Sequence, residues 1–178
     1  LYASFMGITL IVPLFIENIW GGTALEAGLV LLPGTIAALF INPLAGYLTD
    51  RFHARPVIVF FGACLAFGSV AMAFMDASTP FWLILLLQGI RACGVSGLVS
   101  PLTSWSMEEL APNRMTDASS FYTAIRQAIA SMGTALMVFS ITLGAQAFGS
   151  LLFGFQLALG LSGVFALALF VIALVRVR

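Results

Sequence analysis

Apolar residues run through this 178-residue chain in long stretches, and the polar positions fall between those stretches. A hydrocarbon core about 30 Å thick takes roughly 20 apolar residues of α-helix to cross. Charges, prolines and glycine clusters divide the chain into runs of about this length, without the apolar/polar alternation of membrane barrel strands. We therefore predict six transmembrane helices, at residues 1–16, 27–49, 57–75, 81–106, 118–146 and 151–175.

The composition agrees with a protein whose solvent is lipid. Apolar residues make up 61% of the chain and charged residues 8%, against roughly 45–50% and 25% in soluble domains. The predicted fold class is therefore all-α and polytopic, with the lipid bilayer as a partner. The formal net charge is zero, so the charge of the whole chain says nothing about nucleic-acid or acidic partners. For a membrane domain we expect no nucleic-acid partner. The chain begins inside an apolar run and not at Met, so we expect it to be a fragment of a longer protein.

Arginines are distributed unevenly among the breaks between the predicted helices. The first and third breaks contain the acidic residues Glu17, Glu26 and Asp76, and the first, third and fifth breaks contain no arginine. Arginine-rich loops of membrane proteins remain in the cytoplasm. We therefore expect an integral protein of the plasma membrane, which in a bacterium is the inner membrane. Both ends of this segment are expected in the cytoplasm. The arginines of the second break, the fourth break and the C-terminal end are Arg51, Arg55, Arg114, Arg176 and Arg178.

The second break contains a recognisable motif, Gly46-Tyr47-Leu48-Thr49-Asp50-Arg51-Phe52-His53-Ala54-Arg55-Pro56. It resembles the signature G-x-L-x-D-R-x-G-x-R/K of the major facilitator superfamily, which lies between the second and third helices of a six-helix half. His53 stands where that family usually has Gly. A generic charged turn is the alternative interpretation. The resemblance implies a cytoplasmic gate loop that contains Gly46, Asp50, Arg51 and Arg55.

Three further segments resemble helices of major facilitator transporters. The first resembles the entry to the eighth helix of drug:proton antiporters, and the second resembles the arginine-glycine pattern of the fourth helix of a half. The third resembles the fifth helix in the second half of the EmrB/QacA-type antiporters. They lie at residues 24–34, 91–97 and 118–135, in the order and on the helices that this family would require. The resemblance implies that residues 1–178 are the C-terminal six-helix half of a major facilitator fold. It also implies that the N-terminal half of the same transporter is the partner of this domain.

Two arginines fall inside predicted helices. Arg91 lies ten residues after Phe81, roughly 15 Å into its helix and near the bilayer midplane. An arginine there costs at least ~2.5–3.5 kcal/mol to insert, so it needs a partner or a water-filled cavity. Arg126 lies about 12 Å from the cytoplasmic end of its helix. We assign both to substrate binding or coupling. The alternatives are a structural role for Arg91 and snorkelling to the interface for Arg126.

Several polar side chains in the predicted helices are candidates for the lining of a central cavity. For each of them, an interhelical hydrogen bond worth roughly 0.6–2 kcal/mol is the alternative. The candidates are Asn42, Gln88, Tyr122 and Gln127, with Ser96 and Thr123 beside them.

The acidic residues all lie at the end of a predicted helix or in a break. A proton-coupled antiporter needs a carboxylate whose pKa is raised by burial. The resemblance to drug:proton antiporters implies that a proton gradient drives the protein, and the coupling acid is then expected in the other half. We expect no bound cofactor. Integral-membrane enzymes usually display clusters of His or Asp at one membrane face. This chain has a single His, so we do not expect an enzyme.

Together these features favour a secondary active transporter that works by alternating access between two halves. The family resemblance implies proton-coupled export of small amphipathic molecules, as in multidrug or antibiotic efflux. An uptake carrier for a metabolite and a non-transporting membrane module are the alternatives.

Overall fold

The computed structural model describes residues 1–52, 54–107 and 115–176, with side chains at all of these except 50, 52, 54, 104–107, 115, 116, 175 and 176. Within those ranges the chain is helical and forms no strand. Six spans of the described chain are long and apolar enough to cross a membrane, which confirms the all-α, six-span prediction. The helices are α1 (Tyr2–Phe15), α2 (Ala24–Leu29), α3 (Leu32–Phe52), α4 (Ala54–Met72), α5 (Phe81–Met107), α6 (Met115–Phe148) and α7 (Leu151–Arg176), and a π-helical segment (Ile16–Trp20) extends α1.

The first break begins later than predicted. The helix continues through the π-helical segment Ile16–Trp20 and ends at Gly21, whose φ of 75° is left-handed. Glycine adopts this conformation without steric cost, which makes it a common helix terminator. The chain re-enters a helix at Thr23, whose hydroxyl oxygen accepts from the Glu26 backbone N–H at 3.3 Å while Thr23 N–H donates to the Glu26 carboxylate at 2.7 Å. This capping box starts α2 three residues before the predicted span.

The second predicted span is two helices in series. α2 ends at Leu29 and α3 begins at Leu32, with a tight turn in which Leu31 N–H donates to the Gly28 carbonyl at 3.1 Å. Pro33 lies in the first turn of α3, where its missing N–H costs nothing but where it disfavours a continuous helix from α2. The two helices together form one membrane span, Ala24–Thr49.

The second break is helical at each of its residues that the structure describes, which corrects the expectation of a loop. α3 continues to Phe52 and α4 begins at Ala54. The prediction cut the chain at its charges, and charges mark the membrane surface without ending a helix. Pro56 is tolerated because it lies in the first turn of α4, where its N–H would have no helical partner.

The packing of the spans follows two repeats of three. α5 packs against α3 and α4, α1 packs against α6 and α7, and α4 packs against α7. The first three spans are α1, α2 with α3, and α4, and the last three are α5, α6 and α7. If each of the first three is exchanged with its counterpart, the α1–α6 contact becomes the α5–α3 contact and the α1–α7 contact becomes the α5–α4 contact. This is the relation expected of two structural repeats, each of three helices.

Close helix contacts in the bundle depend on small residues. A Cβ built on Gly94 of α5 would lie 2.7 Å from the Leu65 Cα of α4. A Cβ on Gly68 of α4 would lie 2.8 Å from the Arg91 Cβ. Small residues at such crossings let helix backbones approach closely. In a membrane, van der Waals packing and not the hydrophobic effect drives the association of helices. α4 and α5 therefore pack closely along the half of the bundle that surrounds Arg91.

Candidate functional site

Arg91 lies at mid-depth in the bundle. It is the eleventh of the 23 residues in the membrane span Phe81–Thr103, and its side chain is 0% exposed. One apolar cluster includes Ile84 and Leu87 from the first turns of α5, and a second includes Val95 and Leu98 further along it. Arg91 is thus a buried cation between two apolar layers, at the depth the sequence predicted.

Gln88 and Arg91 form a hydrogen-bonded pair on one face of α5. Arg91 Nε donates to Gln88 Oε1 at 3.1 Å, a contact that the i, i+3 spacing on a helix makes possible. The Arg91 Nη1 atom is buried and has no hydrogen-bond partner among the described residues. A buried guanidinium with an unfilled donor is costly, so the pair is an incomplete site.

A cavity of about 160 Å³ adjoins this pair. Three helices contribute to it, and its wall is apolar except for hydroxyl groups and the Gln88–Arg91 pair. The close approach of α3 to α5 at this level depends on Gly34, where a Cβ would lie 2.9 Å from the Ala92 Cβ. The lining residues are Phe5 and Thr9 from α1, Leu31 before α3, Gly34, Thr35 and Ala38 from α3, and Gln88, Arg91, Ala92 and Ser96 from α5.

Arg126 belongs to a separate polar cluster, between α1, α5 and α6. Its Nη1 atom donates to the Tyr2 hydroxyl at 3.4 Å, and its Cζ lies 4.8 Å from the centroid of the Tyr2 ring. The Tyr122 hydroxyl lies 3.4 Å from Thr103 Oγ1. Thr103 ends the membrane span of α5, which places the cluster at an interface depth. Tyrosines are enriched at that depth.

A second, more polar groove runs between α1 and α6. Gln127, predicted as a cavity residue, lies in it with Ser131 and Thr134, and Met6 of α1 faces them. These α6 positions follow the i, i+4, i+7 spacing of one helix face. The hydroxyls of Ser131 and Thr134 donate to carbonyls of their own helix, at 2.9 and 3.0 Å. Each hydroxyl group therefore makes its hydrogen bond within α6, and this polar face needs no hydrogen bond from another helix.

The described residues of the family signature lie at the junction of α3 and α4. Arg51 is exposed and donates to the Tyr47 hydroxyl at 2.8 Å, and Arg55 is exposed on α4. A Cβ on Gly46 would lie at an ordinary 3.6 Å from Ser100 Oγ, against 2.9 Å from the Ala92 Cβ at Gly34, so of these two glycines Gly34 packs more closely against α5. The Asp50 side chain lies outside the described residues, as do His53, Glu108, Glu109, Arg114 and Arg178.

The acidic side chains that the structure describes are not buried in the bundle core. Glu17, Asp76 and Asp117 are exposed, and Glu26 is the capping residue of α2. The Asp76 carboxylate accepts from Ser78 N–H at 2.9 Å and from Ser78 Oγ at 2.6 Å in the turn before α5. These hydrogen bonds stabilise the charged form and lower the pKa of Asp76 below its ordinary value.

The structure brings together some predicted site residues and separates others. Gln88 and Ser96 line the Arg91 cavity, Gln127 lines the other groove, and Asn42 is exposed on α3 outside both. Sequence reasoning missed Thr9 and Thr35, which α1 and α3 carry into the cavity. The available signal was an isolated hydroxyl within an apolar run, which is too common in membrane helices to single them out.

Comparison with known proteins places this bundle in a broad group. The sequence pattern described as the Major Facilitator Superfamily matches residues 1–178. The MFS-type transporter YhcA of Bacillus subtilis is 32% identical over 135 residues, which cover 76% of this chain and 25% of the relative. The lincomycin resistance protein LmrB of Listeria innocua is 26% identical over 152 residues, 83% of this chain and 32% of the relative.

A third relative is named for a different function. The riboflavin transporter RibZ of Clostridioides difficile is 25% identical over 134 residues, 75% of this chain and 29% of the relative. The chain therefore spans between a quarter and a third of the length of the curated relatives that it matches.

Proposed function

Because the chain belongs to the Major Facilitator Superfamily and is a transporter domain, not an enzyme, we propose that it is the C-terminal half of a proton-coupled exporter of small amphipathic molecules. The observation that carries this proposal is the fully buried Arg91 beside a cavity at the bilayer midplane. A charge at that depth is expensive. A purely structural bundle would gain nothing from keeping one of its donors unpaired.

Alternating access supplies the mechanism. Two six-helix halves rock around a site near the midplane and open it first to one side of the membrane and then to the other. In this half, the Arg91 cavity between α1, α3 and α5 and the Gln127 groove between α1 and α6 would face the substrate. The exposed arginines Arg51 and Arg55 would pair across the cytoplasmic junction between the halves and hold the inward gate closed.

Proton coupling requires an acid that the described part of this half does not provide. Its acidic side chains lie at helix ends and not in the bundle core. We propose that the coupling carboxylate lies in the N-terminal half and that an outside proton drives export. An N-terminal half without an intramembrane Asp or Glu would exclude this coupling scheme.

Efflux is supported by the relative LmrB, which is named as a lincomycin resistance protein, and the EmrB/QacA resemblance of residues 118–135 favours the same function. A second candidate is a carrier for a metabolite, favoured by the relative RibZ, which is named as a riboflavin transporter. The two candidates differ in the direction of net transport and in the breadth of substrates.

The test is dye accumulation in cells that express the complete protein, with and without a protonophore. We expect lower accumulation of an amphipathic dye in expressing cells, and loss of that difference when the protonophore is added. Arg91→Ala is expected to abolish export while Gln146→Ala, at an exposed position near the end of α6, does not. Normal export by Arg91→Ala would contradict the site assignment, and higher dye or riboflavin accumulation in expressing cells would favour the uptake carrier.

A further inference from the structure

The guanidinium group of Arg91 is only partly satisfied by its surroundings. Its side chain is 0% exposed, Nε donates to Gln88 Oε1 at 3.1 Å, and Nη1 has no partner among the described residues. A guanidinium has five N–H donors in a planar fork and no acceptor. The natural complement of such a group is an oxyanion that accepts two parallel hydrogen bonds.

The threonine hydroxyls and the Gln88 amide of the cavity do not provide the anionic acceptor that Arg91 lacks. Thr9 Oγ1 donates to the Phe5 carbonyl at 2.7 Å, and Thr35 Oγ1 donates to the Leu32 carbonyl at 2.9 Å. Gln88 presents its amide oxygen to Arg91, so its amide nitrogen remains as a donor. No acid from the described residues lines the cavity. The cavity thus combines an unpaired cation and an amide donor in an apolar wall, without a counter-ion of its own.

The size of the cavity limits what it can hold. Ligand pockets for drug-sized molecules have volumes of about 300–1,000 Å³, whereas this cavity has about 160 Å³. It is large enough for a carboxylate and the atoms next to it, and too small for a complete amphipathic molecule. The remainder of a bound molecule would extend toward the space that the other half encloses.

We propose that the Arg91–Gln88 cavity is an oxyanion subsite that binds a carboxylate or a similar anionic group. Arg91 supplies the charge, and Gln88 orients the guanidinium and donates a second hydrogen bond. The group comes either from the transported molecule or from an acidic side chain of the other half. The inference extends the proposed transport function to a substrate or partner chemistry, and it rests on the domain being half of a transporter.

The experiment measures binding directly, so that its outcome does not depend on dye export. The complete protein is purified in detergent, and its melting temperature is followed during titration with acetate at constant ionic strength. Acetamide, which has nearly the same shape and no charge, is the control ligand. We expect acetate to raise the melting temperature by a few degrees and acetamide to leave it unchanged, because a ligand that binds only the folded state stabilises it.

Three variants identify the binding groups. Arg91→Gln removes the charge and should abolish the acetate effect. Gln88→Glu keeps Arg91 and places a carboxylate beside it, so the protein should fold well and yet lose the acetate effect. Gln146→Glu makes the same chemical change at an exposed position of α6 and should retain it. Gln88→Glu keeps the test decisive if Arg91→Gln fails to fold.

The outcomes separate the two sources of the anionic group. Acetate stabilisation that depends on Arg91 supports an open subsite filled by the substrate. The second outcome is that acetate has no effect on the wild type, while Arg91→Gln has a lower melting temperature and Gln88→Glu does not. This outcome supports an acid of the other half that is already bound to Arg91. An acetate effect unchanged in Arg91→Gln and Gln88→Glu overturns the proposal. So does an absent effect together with a normal melting temperature in Arg91→Gln. Failure of dye export with intact acetate binding would refute the export function alone.

Discussion

Gly94 offers a direct test of how closely α4 and α5 pack. A Cβ at this position would lie 2.7 Å from both the Leu65 Cα and the Phe61 carbonyl oxygen of α4. These are backbone atoms, so a methyl group cannot be accommodated by a change of rotamer. Gly94→Ala therefore forces the two helices apart at the level just beyond Arg91.

The size of the effect follows from two opposing contributions. Overpacking a close-packed core costs about 1–3 kcal/mol, and replacing a helical glycine with alanine contributes about 0.5–1 kcal/mol of stability. Gly160→Ala in α7 is the matched control, because nothing lies within 4 Å of a Cβ there. The helix-propensity gain is common to both variants, so Gly94→Ala should be less stable than Gly160→Ala by about 1–3 kcal/mol.

The assay is thermal unfolding of the complete protein in detergent, with the monodisperse fraction measured by size-exclusion chromatography after heating. A difference of one or two kcal/mol changes the folded-to-unfolded ratio by a factor of roughly 5–30, which this measurement resolves. Gly160→Ala should melt at or above the wild-type temperature and Gly94→Ala clearly below it. Equal melting of the two variants would refute the close α4–α5 contact at Gly94.

Three further predictions concern residues outside that contact. Arg126→Gln should lower the free energy of unfolding by about 0.5–1 kcal/mol through loss of the cation–π contact with Tyr2. Tyr2→Phe keeps the aromatic ring and should lose less stability. Equal melting temperatures of Arg126→Gln and wild type would contradict this prediction. Because the folded-state pKa of Asp76 is lowered, its carboxylate stabilises the turn above the unfolded pKa of about 3.9, and the contribution is lost as the pH falls through the folded value. The melting difference between Asp76→Ala and wild type should therefore disappear in acid, and a constant difference across pH would argue against it. Arg55→Gln, at an exposed position, should reduce dye export with little change in melting temperature, and export equal to wild type would exclude a gating role.

The family signature shows how a correct motif can be attached to the wrong local structure. The composition of residues 46–56, with Asp50, two arginines and Pro56, predicts a charged break between spans. The structure has helix on both sides of His53. Charged residues leave the bilayer because of their solvation energy, but their backbones remain compatible with a helix. The position of the membrane boundary was therefore predictable, and the end of the helix was not.

Distant contacts could not be predicted from spacing. Tyr2 and Arg126 are 124 residues apart in sequence and in contact in the fold. Sequence reasoning found Arg126 because a charge in an apolar run is conspicuous. It could not find Tyr2, because a tyrosine near the end of an apolar run is common and its partner depends on which helices are neighbours.

The sequence by itself determined the number and approximate limits of the spans, because the thickness of a bilayer sets the length of an apolar run. It also determined the depth of Arg91, because a helix rises by a constant distance per residue. Only the tertiary structure decided what surrounds Arg91 and Gln88. The approach of α1 and α3, made possible by Gly34, encloses Arg91 in a small cavity with an unpaired nitrogen. Such a cavity arises from the packing of helices distant in sequence, and no residue pattern within one helix specifies it.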